Sequence, residues 1–438
     1  MNLQHCSRGL YFDQRLGKGV KDPYHVRASD FYAPQVFPTS RIDDFLRWFI
    51  SAFDSFRIGL QRDGDGQLKA RLMQVAPTVD VVPCDELELA PKNNQTFCLE
   101  HAHQIDLLQG ETVRAIYYVS AKQGRSVLRI LYSHFAVDTQ SAALIQDAPR
   151  YFMRGADNPP PTFGGYLDWM NTYWTYAVSD KGAEEEGFWS GLQDAFSEAT
   201  TLGQKCAGAH RHHLQLDVSP DIVWGLMDRA RLHWKCPLVD AVMAATSTAL
   251  GRVYDLGRVP LWWTGHGRSP VGGRRFLNTV GWLSDYHPMV VDCTARTKQE
   301  RTRDFRLALE RLPNAGASFP WVAEFGRIGP AGELRRRLAS PFRVNYRQAR
   351  ELPSRRPVSP MASEPPPIPV VTKPDIAPGN LDVYLTIDVG VRSKVSLVLS
   401  GDVPATHGDT ILRAMHQALR EFAVGEDNIL STSDIGLG

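Results

Sequence analysis

Tyr132-Ser133-His134-Phe135-Ala136-Val137-Asp138-Thr139 ends one pattern in the sequence and begins another. It closes an apolar run over 126–132 that reads as a strand, and it precedes a helical pattern over 141–152. A strand end that passes through a loop into a helix is a usual place for functional side chains. An imidazole at such a place suits general-base work near neutral pH, and Asp138, four residues on, suits fixing the loop. On spacing alone, a polar strand end without chemistry fits the same residues.

Working outward, residues 113–119 read as a second strand, joined to the first through Lys122-Gln123-Gly124 as a hairpin. Upstream, Ile42, Phe45, Leu46, Phe49, Ile50, Phe53 and Phe56 recur at three- and four-residue steps and predict a helix over 41–60, with Thr39 and Ser40 as caps. An Asp-Gly turn over 63–66 and a returning strand over 67–74 follow. Helices are expected over 166–176 and 184–192. Beyond residue 200 the mixed pattern is given a second time. Strands are expected over 212–216, 261–263 and 289–291. Helices are expected from Ser219-Pro220-Asp221, over 240–253 and over 297–312. A hairpin about Gly390 and a helix over 410–422 close the chain. The segment 353–379 holds nine prolines and reads as an exposed loop inserted between two strands.

The 438 residues are 43% hydrophobic and 22% charged, ample for a core, which excludes a wholly disordered chain. Lys+Arg (49) and Asp+Glu (48) leave +1, which argues against a strongly basic nucleic-acid binder. Cys6, Cys84, Cys98, Cys206, Cys236 and Cys293 show no CxxC pair, so free thiols are expected rather than a zinc ribbon or a disulfide framework. No run approaches the roughly 18 apolar residues of a membrane span, and the N-terminus lacks an apolar signal core. A cytoplasmic protein with no membrane contact is expected. His210-Arg211-His212-His213 and His101-Ala102-His103 lack acidic or thiol residues at ligand spacing, so no metal site is expected. Gly272-Gly273-Arg274-Arg275 lacks the lysine and spacing of a phosphate loop. Arg335-Arg336-Arg337, with Arg347 and Arg350, forms a local basic patch, read either as a solvated face or as a contact for an acidic carrier surface or a phosphate.

With its surroundings, the 132–139 stretch resembles the HHxxxDG motif of the condensation-domain superfamily of nonribosomal peptide synthetases, in its epimerization-like or X-like branch. Phe53–Arg57 is similar to the family's HxxLR helix end. Gly164-Gly165-Tyr166-Leu167-Asp168-Trp169, with Phe188-Trp189, resembles its crossover helices. Thr264-Gly265-His266-Gly267-Arg268, Thr279-Val280-Gly281-Trp282 and Phe342-Arg343-Val344-Asn345-Tyr346 resemble motifs of the epimerization-like branch, as does Ser431-Thr432-Ser433-Asp434 near the end. The resemblance runs through nearly the whole chain in order. It implies an α/β (α+β) fold of two chloramphenicol-acetyltransferase-like subdomains in a V-shaped pseudo-dimer with a central tunnel. The boundaries implied are 1–178, carrying the motif as SHxxxDT, and 179–438, carrying the Pro-rich loop.

The resemblance also implies the chemistry: an acyl or peptidyl thioester on a carrier protein's phosphopantetheine arm is joined to an amine or hydroxyl acceptor. No cofactor is bound permanently, and the chain is expected to act as a monomer. His134 takes the place of the catalytic histidine. Asp138 organises the site, with Arg268 as its expected partner. Ser133, Thr139, Thr264, His266, Trp282, Ser284, Asp285, Tyr286 and Asn345 are expected to line the tunnel. Three departures bear on function. Ser133 replaces the first histidine. Thr139 replaces the glycine, so a positive φ there becomes harder. Thr264 replaces the glutamate of epimerization domains, and a hydroxyl is too weak an acid or base for that role. Amide or ester formation therefore leads. A catalytically degenerate domain that recruits a tailoring oxygenase, and an epimerase using Asp285, are the alternatives.

Overall fold

The structure, a computed structural model, describes residues 4–5, 26–62, 64, 68–87, 95–154, 164–197, 211–329, 332–340, 342–349, 381–388, 393–400 and 405–424. The Pro-rich loop 353–379, the Gly390 turn, Cys6, Cys206, His210, Arg350 and the 431–434 tail lie outside these residues. The chain divides into two compact units. The first holds the described residues up to Tyr176 and a returning segment, Arg268–Ser284. The second holds those of Ala177–Gly267 and from Asp285 onward.

In the first unit the strands are β1 (Gln4–His5), β2 (Val26–Ala33), β3 (Ile58–Arg62), β4 (Leu68–Leu72), β5 (Val79–Pro83), β6 (Val113–Ser120) and β7 (Arg125–Ser133). Its helices are α1 (Thr39–Ala52), α2 (Gln95–His103), α3 (Thr139–Gln146), α4 (Ala148–Arg154) and α5 (Tyr166–Ala177). The main sheet runs β2-β7-β6-β5, antiparallel except for the parallel β5/β6 pair. β6 and β7 are apolar almost throughout because both faces of the sheet are covered. Alternate side chains serve opposite layers. Ala115, Tyr117, Leu128, Ile130 and Tyr132 join Phe45, Phe49, Phe53 and Phe56, while Ile116, Tyr118, Val127 and Leu131 join Cys98 and Ala102 of α2. Each fully buried Phe of the first layer contributes roughly 1.5–3 kcal/mol of transfer free energy.

The helix expected over 41–60 is shorter and starts earlier. Neither Thr39 nor Ser40 caps it: Pro38 precedes it and both lie inside. It ends at Phe53, whose backbone turns extended (φ −120°, ψ 95°). The reason is Asp54. Its carboxylate accepts the N–H groups of Tyr166 (2.8 Å) and Leu167 (3.2 Å), the otherwise unsatisfied donors at the start of α5. A 3-10 turn, Asp54–Arg57, then leads directly into β3. The helix expected over 141–152 is two helices, α3 and α4. Pro149 has no N–H to continue the ladder of α3, and it disfavours helical backbone just before it. Strand β2 has no counterpart among the expected elements. It reads Val-Arg-Ala-Ser-Asp-Phe-Tyr-Ala, and its buried Asp30 is held by Arg129 of β7 through two 2.7 Å bonds, so a charged pair stands where alternation would place apolar residues.

The second unit carries β8 (Arg211–Val218), β9 (Arg258–Gly265), β10 (Asp285–Asp292), β11 (Phe342–Ala349), β12 (Leu381–Asp388) and β13 (Ser393–Ser400) in the order β10-β9-β11-β12-β13-β8. β9, β11 and β12 run parallel and the rest antiparallel. Its helices are α6 (Asp180–Ser190), α7 (Pro220–Asp228), α8 (Leu238–Tyr254), α9 (Lys298–Glu310), α10 (Phe319–Phe325), α11 (Glu333–Arg337) and α12 (Ala405–Ala423). α8 is apolar nearly all round because it is buried nearly all round, and its one buried carboxylate, Asp240, is met by Arg306 through two 2.7 Å bonds. Pro220 opens α7 and a Thr297–Glu300 capping box opens α9. Among the described residues no helix is long and apolar enough to cross a membrane.

Candidate functional site

β7 ends at Ser133 and a 3-10 turn, His134–Ala136, follows at once. The Ser133 hydroxyl starts that turn by accepting the Phe135 N–H (3.2 Å). The turn breaks the alternation of the strand. Ser133, Phe135, Ala136 and Val137 are buried, while His134 is half-buried, its Nδ1 enclosed. Its ring packs on Trp282, with centroids 4.4 Å apart and planes at 45°.

Asp138 is 3% exposed and caps α3 by accepting the Ser141 N–H (2.8 Å). Its two oxygens also take a forked pair of bonds from Arg268, both 2.9 Å, and the N–H groups of Leu283 and Ser284, both 3.0 Å. Arg268 is 0% exposed, and its Nη2 donates further to the Ser141 hydroxyl (2.7 Å) and the Thr279 carbonyl (3.1 Å). Ser141 uses its whole hydrogen-bonding capacity here: it also donates to the Gly281 carbonyl (2.8 Å) and accepts the Gly281 N–H (3.0 Å). Asp138 N–H donates to the same Gly281 carbonyl (3.0 Å), and Trp282 N–H to the Phe135 carbonyl (3.3 Å). Arg268–Ser284 is thus stitched to the histidine loop, and Trp282 is carried to the His134 ring. Gly281 is required for this approach, since a Cβ there would lie 2.3 Å from the Tyr166 ring. Burial by itself would raise the Asp138 carboxyl. The Arg268 charge and bonds, with the Ser141 and Ser284 N–H groups, overcome it and hold the carboxyl below its usual range.

In the second unit, Thr264 is the penultimate residue of β9, its hydroxyl donating to the Val344 carbonyl (3.2 Å). His266 is exposed and Asn345 is half-buried on β11. Asp285 opens β10. One of its oxygens accepts the Tyr286 N–H (2.7 Å) and the other stands 3.9 Å from Arg335. Arg343 lies over the Tyr286 ring at 6.0 Å. His287, 1% exposed, is wedged between Gly265 and Gly316, and a Cβ on Gly316 would fall 2.3 Å from its ring. Burial pushes this imidazole down to about 3, with Asp285 opposing and His266 adding to the effect. Among the described residues no three His, Cys, Asp or Glu side chains stand together as metal ligands. His101 is instead bonded to Asp80 at 2.7 Å.

No family model and no curated protein matches the sequence. The likeness is to solved structures. The epimerization domain from the third module of tyrocidine synthetase B matches with a TM-score of 0.74 at 14% identity, over 97% of this chain and 98% of that one. The chain has the condensation-domain fold. The condensation domain of a monacolin K polyketide synthase gives a TM-score of 0.68 at 14% identity, over 97% and 98% of the two chains. A condensation-domain structure from work on chain release by the enacyloxin polyketide synthase gives 0.68 at 18% identity, over 94% and 80%.

Within the condensation fold the departures acquire physical content. Thr139 is the first residue of α3, and none of the described positive-φ residues falls there, so this loop asks nothing of a glycine. Thr139 is exposed rather than lining the buried network. The sequence assigns no such role to Ser141 or Gly281 of this network, nor to Asp54, which caps α5. Ser141 left a faint signal, since Asp138-x-x-Ser141 has the spacing of an N-cap and its third helical residue. Asp54 left none, because its partners lie more than a hundred positions away.

Proposed function

We propose that this chain catalyses condensation-type acyl transfer in natural-product biosynthesis. A thioester on the phosphopantetheine arm of a carrier protein is the donor, and an amine or hydroxyl is the acceptor. The observation that carries the reading is the placement of His134: half-buried at the end of the strand, against Trp282, on a loop fixed by the Asp138–Arg268 pair. In the proposed step His134 accepts the proton of the attacking amine or hydroxyl as the new carbon–nitrogen or carbon–oxygen bond forms. The carbon–sulfur bond then breaks, and the proton passes to the departing thiolate. Asp138 touches no substrate in this scheme. It positions the turn and the Arg268–Ser284 segment, and Ser133 sets the start of the turn.

Thr264 supports transfer over two-base epimerization, since its hydroxyl is engaged with the Val344 carbonyl and is too weak a base for an α-proton. The test is turnover of a carrier-bound acyl thioester with a panel of amines and alcohols. Loss of product by at least a hundredfold in His134→Ala, with folding retained, supports the role. Full activity in that variant refutes it. Exchange of deuterium into the α-carbon of a carrier-bound aminoacyl group, without any transfer, would replace this reading by epimerization.

A further inference from the structure

Of the three consecutive arginines on α11, two are tied down. Arg336 and Arg337 are exposed and both pair with Glu333 of the same helix turn. Arg335 differs. Its side chain is 26% exposed and its guanidinium lies over two aromatic rings, 5.9 Å from the Trp262 centroid and 5.8 Å from that of Phe319. Those rings are themselves fixed. Trp262 donates its indole N–H to the Leu338 carbonyl (2.6 Å), and Phe319 meets it edge-on at 5.9 Å. Among the described residues no hydrogen-bond acceptor takes any of the five Arg335 N–H groups. Its nearest anion is Asp285, at 3.9 Å, too far for a hydrogen bond. Glu324 adds a carboxyl whose Oε2 is buried with no hydrogen-bond partner among the described residues; burial pushes it up, against the pull of Arg335. An arginine oriented by stacking, with its planar fork uncommitted, is prepared for an oxyanion. A carboxylate held just beyond bonding distance offers the complementary acceptor.

We propose that Arg335 and Asp285 form a bipolar receptor for the acceptor, Arg335 binding a free carboxylate and Asp285 accepting a hydrogen bond from the amine or hydroxyl. The acceptor class is then a small amino or hydroxy acid with its carboxyl group unesterified. This rests on the acyl-transfer reading above for the word acceptor, but the binding chemistry stands by itself. The same guanidinium chemistry serves the phosphate of a pantetheine arm, so the experiment separates the two sources.

Binding of phenylalanine, 3-phenyllactate, their methyl esters, 4′-phosphopantetheine and inorganic phosphate to the full chain is measured by calorimetry and saturation-transfer NMR. Both acids are expected to bind at least about tenfold more tightly than their esters, the worth of one charge-assisted fork. Arg335→Gln is expected to erase the difference, Arg335→Lys to keep part of it, and Arg336→Gln to leave it intact. Thermal melts of each variant separate loss of binding from loss of fold, and the lysine variant retains charge if the glutamine variant unfolds. Equal binding of acid and ester, or an Arg335-dependent affinity for 4′-phosphopantetheine alone, overturns the proposal. Acyl transfer that proceeds equally to acid and ester and is unaffected in Arg335→Gln overturns it while leaving the transfer reading in place. Arg335-dependent binding of the acids without any acyl transfer sustains the receptor and refutes the transfer reading.

Discussion

Replacing Asp138 by alanine strands Arg268, which is 0% exposed, with a buried charge and no counterion. Removing one partner of a buried pair costs about 3–5 kcal/mol, and the lost helix cap about 1 more. For a unit of roughly 210 residues, each kcal/mol shifts the midpoint by about 2–4 °C, so the melting of the first unit is expected to fall by roughly 10–20 °C. A chain of two units does not unfold in one all-or-none step, so scanning calorimetry is paired with hydrogen exchange on peptides spanning 134–146 and 276–284. Protection is expected to collapse in both peptides together. Asp138→Leu combined with Arg268→Met removes both charges and is expected to recover the ionic part of the loss. The Ser141, Leu283 and Ser284 N–H groups still lack an acceptor, so recovery is incomplete. The pH dependence has a fixed sign. The folded carboxyl lies below its ordinary 3.8, so the stabilisation is whole above that value and is lost as pH falls through the folded one. A single variant that shifts the midpoint by less than about 3 °C, or a double variant no better than the single, would refute the assignment of this pair as the anchor of the segment.

Three further outcomes are expected. Gly281→Ala forces a Cβ to within 2.3 Å of the Tyr166 ring, so it should displace Trp282 and lower acyl transfer tenfold or more, seen as a kcat loss with quenched change in tryptophan fluorescence. Thr139→Gly, which installs the glycine of the HHxxxDG pattern, should cost about 0.3 kcal/mol of first-unit stability and raise no activity, because the position is the first residue of a helix. His287 is neutral in the fold down to about 3 but ordinarily protonates at 6.5. The second unit should therefore lose stability as pH falls from 6.5 toward 3, by up to about 1.4 kcal/mol per pH unit, and a melting series on His287→Leu should flatten that slope.

Much of the fold is legible where burial is one-sided or complete. α1 shows its face because only one side meets the core, and β6 and β7 read as apolar runs because both faces are covered. β2 is hidden by the Asp30–Arg129 pair, since a charge that is neutralised inside looks like a charge that faces water. The end of α1 is misplaced for a similar reason: Phe53 and Phe56 continue its spacing, but Asp54 is committed to capping α5, a partner that sequence distance conceals. At the site, the pairing of Asp138 with Arg268 is expected from the motif order and is found at 2.9 Å. The role of Gly281 is not legible, because a glycine demanded by a neighbour's ring is spelled like one demanded by its own backbone.

The Asp138 anchor has a consequence for building chimaeras from this fold. Cutting the chain near Tyr176 looks natural, because the first unit's leading segment ends there. A donor half joined at that point brings Asp138 and Ser141 but leaves behind Arg268, Thr279 and Gly281, which arrive later from the other parent. Every such hybrid asks one ancestry's carboxylate to recognise another's guanidinium in a space closed to bulk solvent. The exchangeable part is therefore discontinuous. It is the leading segment together with Arg268–Ser284, and grafts that move the two as a set should fold where single-crossover grafts fail.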